Sequence, residues 1–229
     1  MCGLYSFRKS AAESRALFEY PDHPEFPPRA HVAPGQPIAI VRMEQGQRRF
    51  CLVRWGFIPS WVKEVKPGRP LINARGETVL EKPSFRHAMT RRRCLVPADG
   101  FYEWLGDVPG RKIPYFIQCP DHGLFGFAGL WEHWMGADGS ELETAVIITT
   151  APNREIAEIH DRMPLLIAPQ DYETWLTGDV KDAMQLVRPA PDGTFTLEPA
   201  VITRNAPSSK PAPPPRRRAP RCRGTRSFR

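Results

Sequence analysis

The sequence predicts an α+β fold: a mainly antiparallel, barrel-like β sheet with short flanking helices. Three observations predict it. Many short runs are rich in β-branched and aromatic residues and are separated by turn residues. The helical segments are few and short, and no βαβ rhythm recurs. Proline occurs 26 times, which favours turns and long loops over long helices.

In chain order, Ser10 and Glu13 have capping-box spacing and open a short helix through Phe18. A proline-rich loop, YPDHPEFPPRAHVAPGQP, follows. IAIVR (38–42) and RRFCLVRW (48–55) read as strands, GFIPSWVKEVKPGRP (56–70) as irregular, and LINARGE as extended. PSFRHAMTRR suits a short helix. CLVPADGFYEW (94–104) reads as strand, turn, strand. IPYFIQ, LFGFAGLWEHW and TAVIITT add three more strands. Asn153 is placed to cap the helix REIAEIH, which must stop before Pro164. PLLIA is extended, DYETWLT and VKDAMQLV are short helices, and AVIT (200–203) is the last strand. The expected organisation is one domain over residues 1–206 and a disordered Pro/Arg-rich basic tail over 207–229.

The net charge of +7 is unevenly placed. Eight positive charges and no acid lie between Lys210 and Arg229, so residues 1–209 sum to −1. Any nucleic-acid contact in the body must then be a local patch rather than a global field. The five cysteines form no CxxC pair, which argues against a disulfide framework or a structural zinc site. Cys51 and Cys94 read as small core residues. Residues 1–20 lack the apolar core of a signal peptide, and no run reaches the roughly 18 apolar residues of a membrane span. A cytoplasmic protein without cofactor or metal is expected, a monomer with no obligatory protein partner.

Cys2 carries the most specific chemistry. Removal of Met1 leaves an α-amine and a thiol on adjacent carbons. The amine, with a pKa of about 7.7–8.0, is partly neutral near pH 7 and attacks aldehydes to give a Schiff base. The thiol then closes a five-membered ring in an effectively unimolecular step. Glu103 lies among aromatics in DGFYEWL, where a carboxyl has a raised pKa and serves as general acid or base. His160 ends a helical run and is either a satisfied core histidine or a proton shuttle. Asn73 and Arg75 are one strand period apart and point the same way, an arrangement suited to an oxyanion or phosphate. Trp55 and Trp61 flank a proline turn and either stack unpaired bases or belong to the core. Arg91, Arg92 and Arg93 read as a solvated basic face.

In this order, MCG, RWGFIPSW, NARGET, KPSFRHA, RRCLVPADGFYEW, FAGLWE and IHDRMPLLI resemble the SOS-response-associated peptidase (SRAP) family of abasic-site processing proteins, from residue 1 to about 205. The resemblance implies an SRAP-type fold. It implies binding to abasic sites in single-stranded DNA and a covalent thiazolidine link through Cys2 after loss of Met1, with an associated self-processing peptidase activity. It implies that Asn73 positions the sugar and ring and that Glu103 is the acid/base. His160 would assist Schiff-base formation and reversal, Arg75 and Arg162 would contact phosphates, and Trp55 would shape the DNA cleft. Two positions depart from the family pattern. Leu4 stands where the family usually has arginine, and Gly76 where it often has alanine. Two other functions compete. One is a non-covalent single-stranded DNA-binding protein. The other is an N-terminal-cysteine glutamine amidotransferase, whose RGPD-like and HNG-like segments are missing from this sequence.

Overall fold

The computed structural model describes residues 2–202, apart from Glu25, Lys66, Pro67, Arg69, Asp107 and residues 109–111. The basic tail over 207–229 lies outside the described residues. The strands in chain order are β1 (Tyr5–Phe7), β2 (Arg29–Val32), β3 (Pro37–Glu44), β4 (Gln47–Trp55), β5 (Asn73–Arg75), β6 (Arg93–Ala98) and β7 (Gly100–Leu105). They continue with β8 (Ile113–Gln118), β9 (Phe125–Met135), β10 (Glu141–Thr150), β11 (Met163–Pro164), β12 (Leu166–Ile167) and β13 (Thr196–Pro199). Five short helices flank them: α1 (Ala11–Phe18), α2 (Pro83–Arg91), α3 (Arg154–Ala157), α4 (Tyr172–Thr177) and α5 (Val180–Gln185).

One sheet has the order β13-β8-β7-β1-β2 and is antiparallel throughout. In the other, β10-β4-β3-β6-β9 closes into a ring, because β9 also pairs with β10 from Gly129–Ile147 to Met135–Glu141. Closure leaves those five strands without a free edge, which removes a template for unwanted pairing. The ring has one parallel step, β10 on β4, and β5 adds a second parallel pairing on β10. Both faces of the ring strands are covered. Along β10, Ala145 and Ile147 join one apolar cluster with Tyr5, Trp55, Phe101 and Phe127, whereas Val146 and Ile148 join another under the helices with Val79, Met89 and Trp175. Two buried faces explain why TAVIITT reads as a continuous apolar run rather than an alternating one.

The elements largely follow local chemistry. Ser10 accepts from the Glu13 amide and the Glu13 carboxylate accepts from the Ser10 amide, so the capping box that starts α1 is complete. Residues 56–70 form no strand among those described, apart from an isolated bridge between Phe57 and Leu71. Four expectations need correction. Strand β2 forms inside the stretch read as a proline-rich loop, because β1 supplies its partner. The last strand among the described residues is Thr196–Pro199, with none at 200–202, since its register is set by pairing with β8 from Tyr115 to Gln118. Helix α3 stops at Ala157, and His160 follows it in a turn closed by its amide on the Ile156 carbonyl. Arg93 is buried rather than solvated. It donates to the carbonyls of Met89, Trp175 and Gly178, satisfying orphan acceptors at the ends of α2 and α4.

The β6–β7 corner fixes the N-terminus. Asp99, 1% exposed, accepts from the Ser6 hydroxyl and from the Arg8 amide and guanidinium. The Asp99 amide in turn donates to the Ser6 carbonyl. Gly100 follows because a Cβ there would meet the Phe116 ring at 2.1 Å. Replacing Asp99 with alanine leaves the buried Ser6 hydroxyl with only the Gly100 carbonyl, at 3.3 Å, and takes the carboxylate from the Arg8 guanidinium. We predict a loss of about 1–3 kcal/mol of stability, read from urea unfolding, whereas an exposed control such as Glu81→Ala should leave the midpoint unmoved.

Candidate active site

The site forms where the two sheets meet. Strand β1 runs between β2 and β7, with Tyr5 opposite Phe101 and the Leu4 carbonyl accepting from the Tyr102 amide. Cys2, immediately before it, is 1% exposed. Strand β5 lies along β10 with Asn73 opposite Ile147, and the Asn73 side-chain amide donates to the Cys2 carbonyl at 2.9 Å. The buried Asn73 Oδ1 has no hydrogen-bond partner among the described residues, so an acceptor faces the site unused. Two residues along β10, Thr149 and Thr150 pair with Pro164 and Met163 of β11, which brings the preceding turn and His160 to the same end. Glu103 enters from β7, 2% exposed, with its Oε2 3.9 Å from His160 Nε2.

Burial sets the protonation states. It holds the Glu103 carboxyl well above the usual range, at about 7, and the nearby Asp161 charge pushes the same way while Lys112 opposes. Burial, followed by the Glu103 charge, keeps the Cys2 thiol protonated far above its ordinary range. Burial also lowers the His160 pKa, favouring neutral imidazole. In that form the Arg162 amide donates to Nδ1 at 3.0 Å, so the ring proton sits on Nε2, on the side of Glu103. The Asp161 carboxylate, also 3.0 Å from Nδ1, becomes its acceptor once the ring is doubly protonated. Cys2 and His160 therefore rest uncharged, and Glu103 is divided about equally between its two forms near pH 7, which suits chemistry in which protons move between neighbours.

Cys2, Asn73, Glu103 and His160 thus come together. Arg75, on the same strand as Asn73, is exposed and makes no hydrogen bond or ion pair among the described residues, leaving its guanidinium available. Two of the expected DNA contacts are engaged by the protein itself. Trp55 is fully buried, edge-on to Tyr5, with its indole donating to the Ile72 carbonyl, so it supports β5 from below and presents no face for a base. Trp61 is the exposed tryptophan of that pair, at 64%. Arg162 is held by protein: both Nη atoms reach the Glu77 carboxylate, at 2.8 and 2.7 Å, and one also donates to the Thr149 carbonyl. Sequence reasoning missed Asp99 and Glu77. Asp99 sits in ADG, which signals only a turn, and Glu77 lies in NARGET with no local cue to its distant partner. Gly76 is explained by packing, since a Cβ would lie 2.4 Å from Val187. Among the described residues, no group of three or more His, Cys, Asp and Glu could hold a metal ion, and no helix is long and apolar enough to cross a membrane.

A profile of the family described as SOS response associated peptidase (SRAP) matches residues 1–204. The chain belongs to the SRAP family. It is 41% identical over 179 residues to the abasic site processing protein YoqW of Bacillus subtilis (strain 168), covering 77% of this chain and 80% of that one. It is 33% identical over 179 residues to the abasic site processing protein HMCES of Gallus gallus, covering 66% of this chain and 53% of that one. Among solved structures, a protein from Bordetella bronchiseptica superposes with a TM-score of 0.77 at 25% identity, covering 88% of this chain and all of that one. A protein from Bacteroides thetaiotaomicron superposes at 0.75 and 26% identity, covering 86% and 90%. The SRAP fold is thus the α+β, mainly antiparallel barrel that the sequence predicts.

The raised Glu103 pKa has a signed consequence. In the unfolded chain this carboxyl titrates near 4.3. A folded value near 7 means that the folded state binds the proton more tightly. The associated stability is fully present below about pH 4.3 and lost as the pH rises through about 7. Glu103→Gln should therefore gain stability over the wild type as the pH is raised across that window, measured as the difference in Tm between the two proteins. A constant difference from pH 4.5 to 8 would contradict the assigned burial effect.

Proposed function

We propose that the protein processes abasic sites in single-stranded DNA by forming a covalent thiazolidine link through Cys2. The observation that carries this reading is the fixing of residue 2 inside the fold, with Asn73 on its carbonyl and Glu103 and His160 beside it. The relatives named abasic site processing proteins support it. The ring-opened sugar of an abasic site offers an aldehyde, the natural partner of an aminothiol.

The first requirement is an uncapped nitrogen. Hydrolysis of the Met1–Cys2 peptide bond consumes one water and frees the α-amine, with Glu103 as the acid/base. The neutral amine then attacks the aldehyde carbon to give a carbinolamine. A protonated Glu103 donates to the departing hydroxyl, which leaves as water and gives the imine. The carboxylate so formed takes the thiol proton as sulfur adds to the carbon of the protonated imine, and the C=N electron pair returns to the ring nitrogen, which keeps the one proton it already carries. The net change from free amine, thiol and aldehyde to the ring is loss of one water. His160 relays protons to and from Glu103, and Asn73 orients the Cys2 main chain. Arg75 and Trp61 supply a phosphate contact and a stacking face for the flanking strand. With the aldehyde carbon tied up in the ring, the adjacent C–H is no longer acidified, so strand cleavage by β-elimination is suppressed. Buried Cys2 also fits its role, because attack is led by the amine and the thiol need ionise only as it reacts.

The test uses a single-stranded oligonucleotide with one abasic site. A band that survives denaturing electrophoresis should form with the wild type and be lost in Cys2→Ala, with intact mass showing the loss of Met1. An equal yield from the mutant would favour non-covalent binding, and release of glutamate from glutamine would favour the amidotransferase. The rate should rise with pH while the amine, with a pKa of about 7.7–8.0, is being deprotonated, and peak near about 7.4, midway between that value and the Glu103 pKa of about 7. It should fall at higher pH as Glu103, with a pKa of about 7, becomes fully ionised. Glu103→Gln should lower the rate and abolish the alkaline fall.

A further inference from the structure

Charge is divided unevenly between the body and the end of this chain. Residues 1–209 sum to −1, whereas residues 210–229 carry eight positive charges and no acid. The exposed charges around the site are mixed. Arg75 and Lys112 are positive, and Glu77 and Asp161, the latter with its side chain 84% exposed, are negative. Leu4, close to Cys2 in the chain, adds none. The body therefore offers a DNA strand little net attraction. Residues 210–229 lie outside the described ones; their charge is a property of the sequence, and the fold decides from where they start. Strand β13 sets that place. It is an edge of its sheet, and Pro199 pairs with Tyr115 of β8, which pairs in turn with Glu103 of β7. With neighbouring strands about 4.8 Å apart, the Pro199 backbone stands roughly 10 Å from that of Glu103. The Ala200 amide then donates to the carbonyl of Pro114, the partner of Trp104, so the chain leaves the sheet one residue past the level of Glu103. Lys210 is eight residues and Arg218 sixteen beyond Ile202, a reach of at most about 30 and 60 Å.

We propose that residues 210–229 are a phosphate-binding arm for the DNA strand flanking the abasic site, tethered at the active site by the place of β13 beside β8 and β7. The meaning of that place rests on the abasic-site reading given above. Backbone phosphates rather than bases are what the arm recognises: its polar chemistry is dominated by seven arginines and one lysine, and its only aromatic residue is Phe228. Each phosphate neutralised releases counterions, so the attraction ignores base sequence and falls steeply with salt. Because the arm starts two strands from Glu103, a strand it holds is kept where an aldehyde has to meet Cys2. The gain is one of local concentration. The arm sets how often DNA occupies the site, and the bond-making steps stay with Cys2, Glu103 and His160.

The experiment keeps the chain at full length. One variant replaces every lysine and arginine of 210–229 with glutamine, and a second replaces only Arg216, Arg217 and Arg218. Thermal unfolding checks that both keep the wild-type Tm. Binding to an undamaged single strand is measured against salt, and crosslinking to strands with one abasic site gives the saturating rate and the half-saturating concentration. The log–log salt slope should weaken by about 0.7 for each arm charge that meets a phosphate, hence by up to about 2 in the triple variant and about 5 in the full one. Half-saturation at physiological salt should rise roughly 10- to 100-fold in the full variant, with the saturating rate changed by less than about twofold. The wild-type advantage should shrink when the abasic site has flanks too short to reach the arm. Unchanged slopes and half-saturation overturn the proposal, as does a slower saturating rate at unchanged half-saturation. An advantage independent of flank length overturns the tie to the site. Loss of binding to phosphatidylserine vesicles with unchanged DNA slopes would assign the arm to a membrane surface and overturn it too. Should the wild type form no crosslink at all, the functional reading fails on its own. The salt slopes on the undamaged strand then decide the arm alone.

Discussion

The structure depends on one constraint: the first strand of the chain is an interior strand. A chain terminus ordinarily frays, because its backbone groups find water as readily as protein partners. Here β1 has a neighbour on each side, Tyr5, Ser6 and Phe7 are at most 2% exposed, and Asp99 takes hydrogen bonds from Ser6 and Arg8. At three residues β1 makes few ladder hydrogen bonds of its own, and the buried carboxylate adds to them. Once it is held, Cys2 has no freedom to move, and the Asn73 amide can close on its carbonyl. A residue two places from a chain end thereby acquires the fixed geometry that chemistry on its nitrogen and sulfur demands.

The same burial governs the charges. Removing Cys2, Glu103 and His160 from water disfavours the ionised form of each, whichever sign that form carries. A thiol, a carboxyl and an imidazole are thus all shifted toward their neutral forms by one cause. The ionised groups stand outside: Asp161 is exposed, and Arg75 is exposed beside Asn73. A polyanion can be met at the rim while proton transfers proceed in an interior that does not repel it. The contrast between Arg75 and Arg162 shows that arginines alike in the sequence occupy different settings in the fold. Both are arginines in the family's sequence signatures, but one guanidinium faces solvent and the other is locked on Glu77 and Thr149.

Trp55 and Trp61 teach a related lesson about aromatic residues. Six positions apart around a proline turn, they are equivalent as sequence signals. The closed ring of strands places Trp55 at the end of β4 over Tyr5 and under Ile72, while Trp61 falls in the irregular segment beyond the sheet. Local pattern can nominate a large ring. Which way it faces follows from the strand it ends and from what covers that strand.

Much of the architecture was written in local chemistry. The capping box starts α1, β-branched runs mark β3, β4, β9 and β10, and proline and glycine mark their ends, because these preferences act within a few residues. The aminothiol at residue 2 and the carboxyl among aromatics in GFYEW were legible for the same reason: each is a property of one residue and its immediate neighbours. Strand β2, the register of β13, the early end of α3 and the burial of Arg93 were not, since each is decided by a partner far along the chain. The site is the extreme case. Residues 2, 73, 103 and 160 share no local signal, and only the meeting of two sheets, pinned by Asp99 at one corner and by Glu77 and Arg162 at another, makes them neighbours.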